Sequence, residues 1–168
     1  EMYIIENVLE KTSVITSTLI GSASTYLEGK RFSTVFIDEA SQALEPASWV
    51  PILKADKVVF AGDHMQLPPT IKSRKAAESG LNITLFEKGI ERNKTDYMLS
   101  VQYRMNEKIM GFPNKIFYNN HLIADTKVAH WKIAENDEPL TFIDIAGMGF
   151  TEKHDPETRS ITNLGEAE

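Results

Sequence analysis

The spacing of apolar residues separates the chain into helical and extended stretches. Met2 to Lys11 places Ile4, Ile5, Val8 and Leu9 at helical intervals, which predicts a helix. Val14 to Thr18 (VITST) reads as a strand running into the small-residue stretch Gly21 to Ser24. Phe32 to Ile37 (FSTVFI) ends in a nearly continuous apolar run, the pattern of a strand buried on both faces of a parallel sheet. Lys57 to Ala61 (KVVFA), closed by Gly62, is a second such run, and Tyr97 to Val101 (YMLSV) a third. Between them, Ala43 to Leu53 and Lys75 to Lys88 carry helical patterns, the first interrupted by Pro46 and Pro51. Alternation of strand and helix predicts an α/β layered sheet.

Beyond the third strand, Asn106 to Tyr118 reads as a helix despite Pro113, and residues 119–138 as polar and irregular. Leu140 to Ile145 (LTFIDI) predicts a fresh strand, followed by a Gly-rich, acidic loop from Ala146 to Arg159. A helix is expected to begin within residues 163–168. The sequence has no internal repeat and no low-complexity tract.

Composition narrows the function classes. With 168 residues, 42% hydrophobic and 25% charged, the chain has the balance of an ordinary soluble domain. It has no cysteine, so neither a disulfide framework nor a thiolate metal site is possible. No apolar run approaches the roughly 20 residues that cross a bilayer, and no membrane partner is expected. The chain starts at Glu1 without the apolar core of a signal peptide. It therefore reads as a piece of a longer protein working inside the cell, in the cytoplasm or, in a eukaryote, the nucleus. Of the net charge of −6, residues 135–168 hold nine acidic against two basic groups, leaving the first 134 close to neutral. A broad basic footprint for coating nucleic acid is missing, although a groove with local positive charge is not excluded.

Three short constellations carry chemistry. Asp38-Glu39 follows the first buried strand, and ligands of open parallel sheets bind beyond the carboxyl ends of strands. There one carboxylate can reach a Mg²⁺–nucleotide complex through water, and its neighbour can activate the attacking water. Asp-Glu pairs at strand ends also serve as helix caps. Gly62-Asp63-His64-Met65-Gln66-Leu67-Pro68-Pro69 ends the second strand, with a glycine for a sharp turn and prolines that stiffen the loop. A polar side chain on that loop could sense a γ-phosphate. Gln102-Tyr103-Arg104-Met105 follows the third strand, offering a planar charged fork for phosphate and a tyrosine ring for a flat base.

Order and spacing join these pieces. DEASQALEP, GDHMQLPP 24 residues later and QYRM about 40 residues beyond closely resemble motifs II, III and IV of superfamily 1 helicases. The nearest likeness is to the branch containing the nonsense-mediated-decay RNA helicase and related DNA helicases. Thr16 to Ser24 (TSTLIGSAS) resembles motif Ic, and Phe112 to Leu122 the segment after motif IV. The resemblance runs from about Val14 to Leu122, with a fainter echo at Asn163 to Ala167. It implies an α/β chain holding part of a RecA-like parallel sheet. Residues 1–100 would be the C-terminal half of the first RecA-like domain, and 101–168 the opening of the second.

The resemblance also implies roles. Asp38 would hold Mg²⁺ through water, Glu39 would be the general base for ATP hydrolysis, and Gln66 would touch the γ-phosphate region. Tyr103, with Gln102 beside it, would hold the adenine of ATP. Arg104 would be an arginine finger from the second domain. Thr16, Ser17 and Thr18 would contact the backbone of single-stranded DNA or RNA; a Thr/Ser-rich strand end is the plainer reading. Against the pattern, the Walker-A loop is missing: Gly29-Lys30 is the only Gly-Lys pair, with Ser24 where the first glycine belongs and Arg31 where Ser or Thr belongs. The β- and γ-phosphates thus lack a cradle within this segment. The chain by itself is expected not to turn ATP over. The rivals to a helicase parent are a non-enzymatic nucleic-acid-binding or scaffold module with a helicase-like half, and a P-loop ATPase acting on protein.

Outside the motifs, His64 reads as structural and Trp49 and Trp131 as packing residues. Lys72, Arg74 and Lys75 form a basic loop, either solvated or against a phosphate backbone.

Overall fold

The computed structural model describes residues 2–93 and 96–167. The chain divides into two compact units, Glu1–Tyr97 and Met98–Glu168.

In the first unit, α1 (Met2–Lys11) is followed by two short 3₁₀ turns, Ile20–Ala23 and Thr25–Leu27. Strand β1 (Phe32–Ile37) pairs in parallel with β2 (Ala55–Phe60), in register from Phe32↔Ala55 to Ile37↔Phe60. Both are rich in β-branched and aromatic residues, which suit the pleat. A parallel pair needs a crossover, here supplied by α2 (Glu45–Ile52). Pro51 falls in the last turn of α2, so only one helical bond is forgone before the chain ends the helix. Lys54 then closes the crossover: its carbonyl accepts from Phe32 N–H at 2.9 Å and its ammonium donates to the Leu27 carbonyl at 2.8 Å. The buried residues of this unit include Leu27, Ile37, Ala40, Ser48 and Pro51.

The helical pattern expected over Lys75 to Lys88 is broken. A single turn, α3 (Arg74–Ala76), runs into one π-turn (Ala77–Leu81), and Gly80 takes φ +94°, which ends the helix. Helix α4 (Leu85–Asn93) starts afresh behind a capping box: Thr84 Oγ1 donates to Glu87 Oε2 at 2.8 Å, and Glu87 N–H donates to Thr84 Oγ1 at 3.2 Å. Thr84 is completely buried. A salt bridge from Lys88 to Glu45 ties α4 to α2 and, together with the Trp49 indole N–H, holds the Glu45 carboxyl below its usual range.

In the second unit, β3 (Val101–Gln102) pairs in parallel with β4 (Ile123–Ala124) around α5 (Glu107–Phe117). Asn106, Met110 and Asn114 fall on one helix face and are buried. The two asparagines pin the return segment. Asn106 donates to the Trp131 carbonyl at 2.8 Å, and Asn114 exchanges two bonds with Leu122 at 2.9 and 3.0 Å. A hairpin follows, β5 (Lys153–His154) with β6 (Ile161–Thr162), ahead of the short α6 (Leu164–Ala167). In its loop Asp155 accepts from the Thr158 and Glu157 amides, which lowers its pKa.

Several expectations are corrected. Val14 to Thr18 forms no ladder and has no strand partner among the described residues; β-branched residues favour an extended chain, but a strand needs a neighbour. The same holds for Leu140 to Ile145. The third strand begins at Val101 instead of Tyr97 and reaches Gln102. β1 is not buried on both faces: Phe36 is 74% exposed on a sheet of two strands. Trp49 and Trp131 are substantially exposed instead of packed inside. The terminal helix is described only to Ala167, since Glu168 lies outside the described residues.

Candidate functional site

The two parallel strands of the first unit end side by side and deliver two of the constellations together. The ladder continues past the strands: Ala61 N–H donates to the Ile37 carbonyl at 2.9 Å, and Ala40 N–H donates to the Ala61 carbonyl at 2.8 Å. Asp38-Glu39 and the Gly62–Gln66 loop are thus cross-bonded, not merely adjacent. Gly62 is required by space. A Cβ there would stand 2.9 Å from the Ser41 nitrogen and 3.1 Å from the Ala40 nitrogen. Ser41 completes the link, its buried hydroxyl accepting from Asp63 N–H at 3.1 Å.

Each loop is organised by its own acidic residue. Asp38 Oδ1 accepts from Glu39 N–H at 3.0 Å. Glu39 lies in the left-handed region (φ 51°, ψ 37°), an uncommon place for a side chain with a Cβ. Its carboxylate Oε2 accepts from Gln42 Nε2 at 3.0 Å. In the second loop, Asp63 accepts from Met65 N–H at 3.0 Å through Oδ1 and from Gln66 Nε2 at 2.8 Å through Oδ2. Asp38, Glu39 and Gln66 are all exposed at this end of the sheet. His64 is exposed and tilts against Phe86, with ring centroids 6.1 Å apart.

These residues fit the metal side of a Mg²⁺–nucleotide complex. Mg²⁺ keeps most of its waters and takes one or two carboxylates plus substrate phosphates, so one exposed carboxylate with Oδ1 anchored, as in Asp38, suffices. Among the described residues no cluster of three or more acidic or histidine side chains could cage an ion. A phosphate cradle is not part of the arrangement.

The remaining predicted residues lie elsewhere. In the second unit, Gln102 folds its amide back on its own turn: Oε1 accepts from Arg104 and Met105 N–H at 2.8 Å each, and Nε2 donates to the Met105 carbonyl at 2.8 Å. This shapes the Tyr103–Arg104 turn and leaves both side chains exposed, Tyr103 to 67%. Arg104 forms no ion pair among the described residues. In the first unit, Thr16, Ser17 and Thr18 are exposed, and Thr18 Oγ1 accepts from Gly21 N–H at 3.0 Å. Lys72, Arg74 and Lys75 are exposed, Arg74 paired with Glu78 at 2.9 Å.

Sequence reasoning missed Ser41, Gln42 and Asp63, which hold this site together. Short polar residues that bond local backbone are a readable turn signal, and all three stand inside the motifs.

Two family models, each described as an AAA domain, match residues 1–74 and 81–168. The chain belongs to the AAA domain family. The curated proteins that the chain resembles include ATP-dependent and DNA helicases. It is 40% identical over 98% of its length to an uncharacterized ATP-dependent helicase of Methanocaldococcus jannaschii, covering 26% of that protein. It is 37% identical over 85% of its length to the DNA polymerase alpha-associated DNA helicase A of Schizosaccharomyces pombe, covering 23% of it. With the ATP-dependent helicase NAM7 of Saccharomyces cerevisiae the identity is 44% over 68% of the chain and 12% of the relative. The chain thus spans less than a third of each of these curated relatives. Among the described residues no helix is long and apolar enough to cross a membrane.

Proposed function

We propose that this AAA-domain chain is the middle of an ATP-dependent helicase that moves along single-stranded DNA or RNA within the cell. Residues 1–100 are the C-terminal half of a first RecA-like domain, and 101–168 open a second. The observation that carries this reading is the cross-bonded end of β1 and β2. It sets a metal-type carboxylate, a second carboxylate and a glutamine on one rigid edge. Asp38 would hold Mg²⁺ through water, and the ion so held would neutralise developing charge on the phosphates. Glu39 would take a proton from the attacking water, and Gln66 would meet the γ-phosphate. Tyr103 stacks on the adenine, on a turn that Gln102 shapes beside it. Arg104 stabilises transition-state charge as an arginine finger, and Thr16, Ser17 and Thr18 contact the nucleic-acid backbone.

The test is Glu39→Gln in the helicase that contains this chain. General-base assistance contributes about 10²–10⁴-fold, so hydrolysis should collapse while nucleotide binding persists, because Asp38 still serves the metal. Turnover within a factor of two of wild type would remove Glu39 from the mechanism.

A further inference from the structure

One residue grips Glu39 at two points. Gln42 N–H donates to the Glu39 carbonyl at 2.9 Å, and Gln42 Nε2 donates to Glu39 Oε2 at 3.0 Å. The residue so held sits in a left-handed conformation that persists only where its surroundings enforce it. Glu39 and Gln42 are both exposed, so packing does not select the carboxylate's rotamer. The amide does. We infer that Gln42 is a positioning residue for the general base, fixing Oε2 and leaving Oε1 to accept the proton of the attacking water. This rests on the reading of Glu39 as the base.

The chemistry of the donor suits that task. A carboxylate on free rotors adopts the productive geometry only part of the time, and misplacement of a catalytic group is costly in rate. Lysine or arginine in this position would orient it equally well but would add a full positive charge, which weakens a carboxylate as a base. A glutamine amide is a neutral donor that does not titrate. It orients without neutralising.

The experiment is steady-state ATP hydrolysis by the helicase containing this chain, at saturating single-stranded nucleic acid. Gln42→Ala should lower kcat about tenfold, near the worth of one hydrogen bond to a charged acceptor. KM for ATP and the melting temperature should stay unchanged. Gln42→Glu should fall below Gln42→Ala, because its carboxylate has no N–H to donate and repels Oε2 out of the position that the amide holds. Full kcat in both variants, with Glu39→Gln inactive, would overturn the positioning role and leave the base assignment standing. An active Glu39→Gln would instead overturn the base assignment and this inference with it. If both Gln42 variants lose kcat and melting temperature equally, Gln42 only supports the turn, and the inference fails.

Discussion

Replacing Gly62 with alanine tests the join between the two loops. The new Cβ would lie 2.9 Å from the Ser41 nitrogen, 3.1 Å from the Ala40 nitrogen and 3.2 Å from Ser41 Oγ. Two of these neighbours are backbone atoms and cannot swing aside. Ordinary contact begins near 3.4 Å, so the loops must part by about 0.5 Å at the closest approach. Overpacking of this kind costs about 1–3 kcal/mol. Parting the loops also stretches the Asp63 N–H to Ser41 Oγ bond, worth about 1 kcal/mol. Against this, alanine stiffens the unfolded chain by about 0.4–1 kcal/mol. The net expectation is a loss of about 1–3 kcal/mol, concentrated at this edge. Urea denaturation gives the total. Native-state hydrogen exchange locates it, with protection falling at the Ala40 and Asp63 amides. Ser41→Ala, which removes the hydroxyl and adds no bulk, should lose only about 1 kcal/mol. A Gly62→Ala protein within about 0.5 kcal/mol of wild type, with both amides still protected, would refute the close-approach account.

Two further expectations concern charge. In the proposed parent helicase, Arg104→Ala should slow hydrolysis by about 10³-fold or more, and Arg104→Lys should not rescue it because an ammonium lacks the planar fork. If Arg104→Ala instead keeps normal turnover and shallows the log-affinity against log-salt slope for a single strand by about 0.7, the arginine is a backbone contact. For the Glu45–Lys88 pair, the depressed Glu45 pKa means that its contribution is present above the unfolded value of 4.5 and is lost as pH falls through the folded one. The pair is partly exposed and contributes at most about 1 kcal/mol. The urea midpoints of wild type and Lys88→Met should therefore differ at pH 7 and converge as pH falls through the folded-state pKa of Glu45, below 4.5; a gap that persists in strong acid would make the contact non-ionic.

The sequence was most legible where local and global signals agree. β1 spans the stretch its apolar run marks, because that run has a neighbouring strand to satisfy its backbone. Asp38, Glu39 and Gln66 gather at one edge because parallel strands bring their carboxyl ends together. Legibility failed where a pattern depends on a partner. Val14 to Thr18 and Leu140 to Ile145 have strand-like side chains and nothing among the described residues to pair with. The interruption at Gly80 was readable in principle, yet helical periodicity continues across it and masked the break. Gln102 shows another limit. Its place in the motif points to the nucleotide, while its amide is occupied by three bonds to its own turn. Only coordinates could separate a residue that touches a ligand from one that shapes the loop presenting it.

The ladder between β1 and β2 does not stop where the strands do, and this has a mechanical consequence. Bonds from Ala61 to Ile37 and from Ala40 to Ala61, with the Asp63–Ser41 clasp beyond them, make the two loops one stiff plate without a hinge between them. A force applied to Gln66 is carried to Glu39 as displacement, with little absorbed as bending.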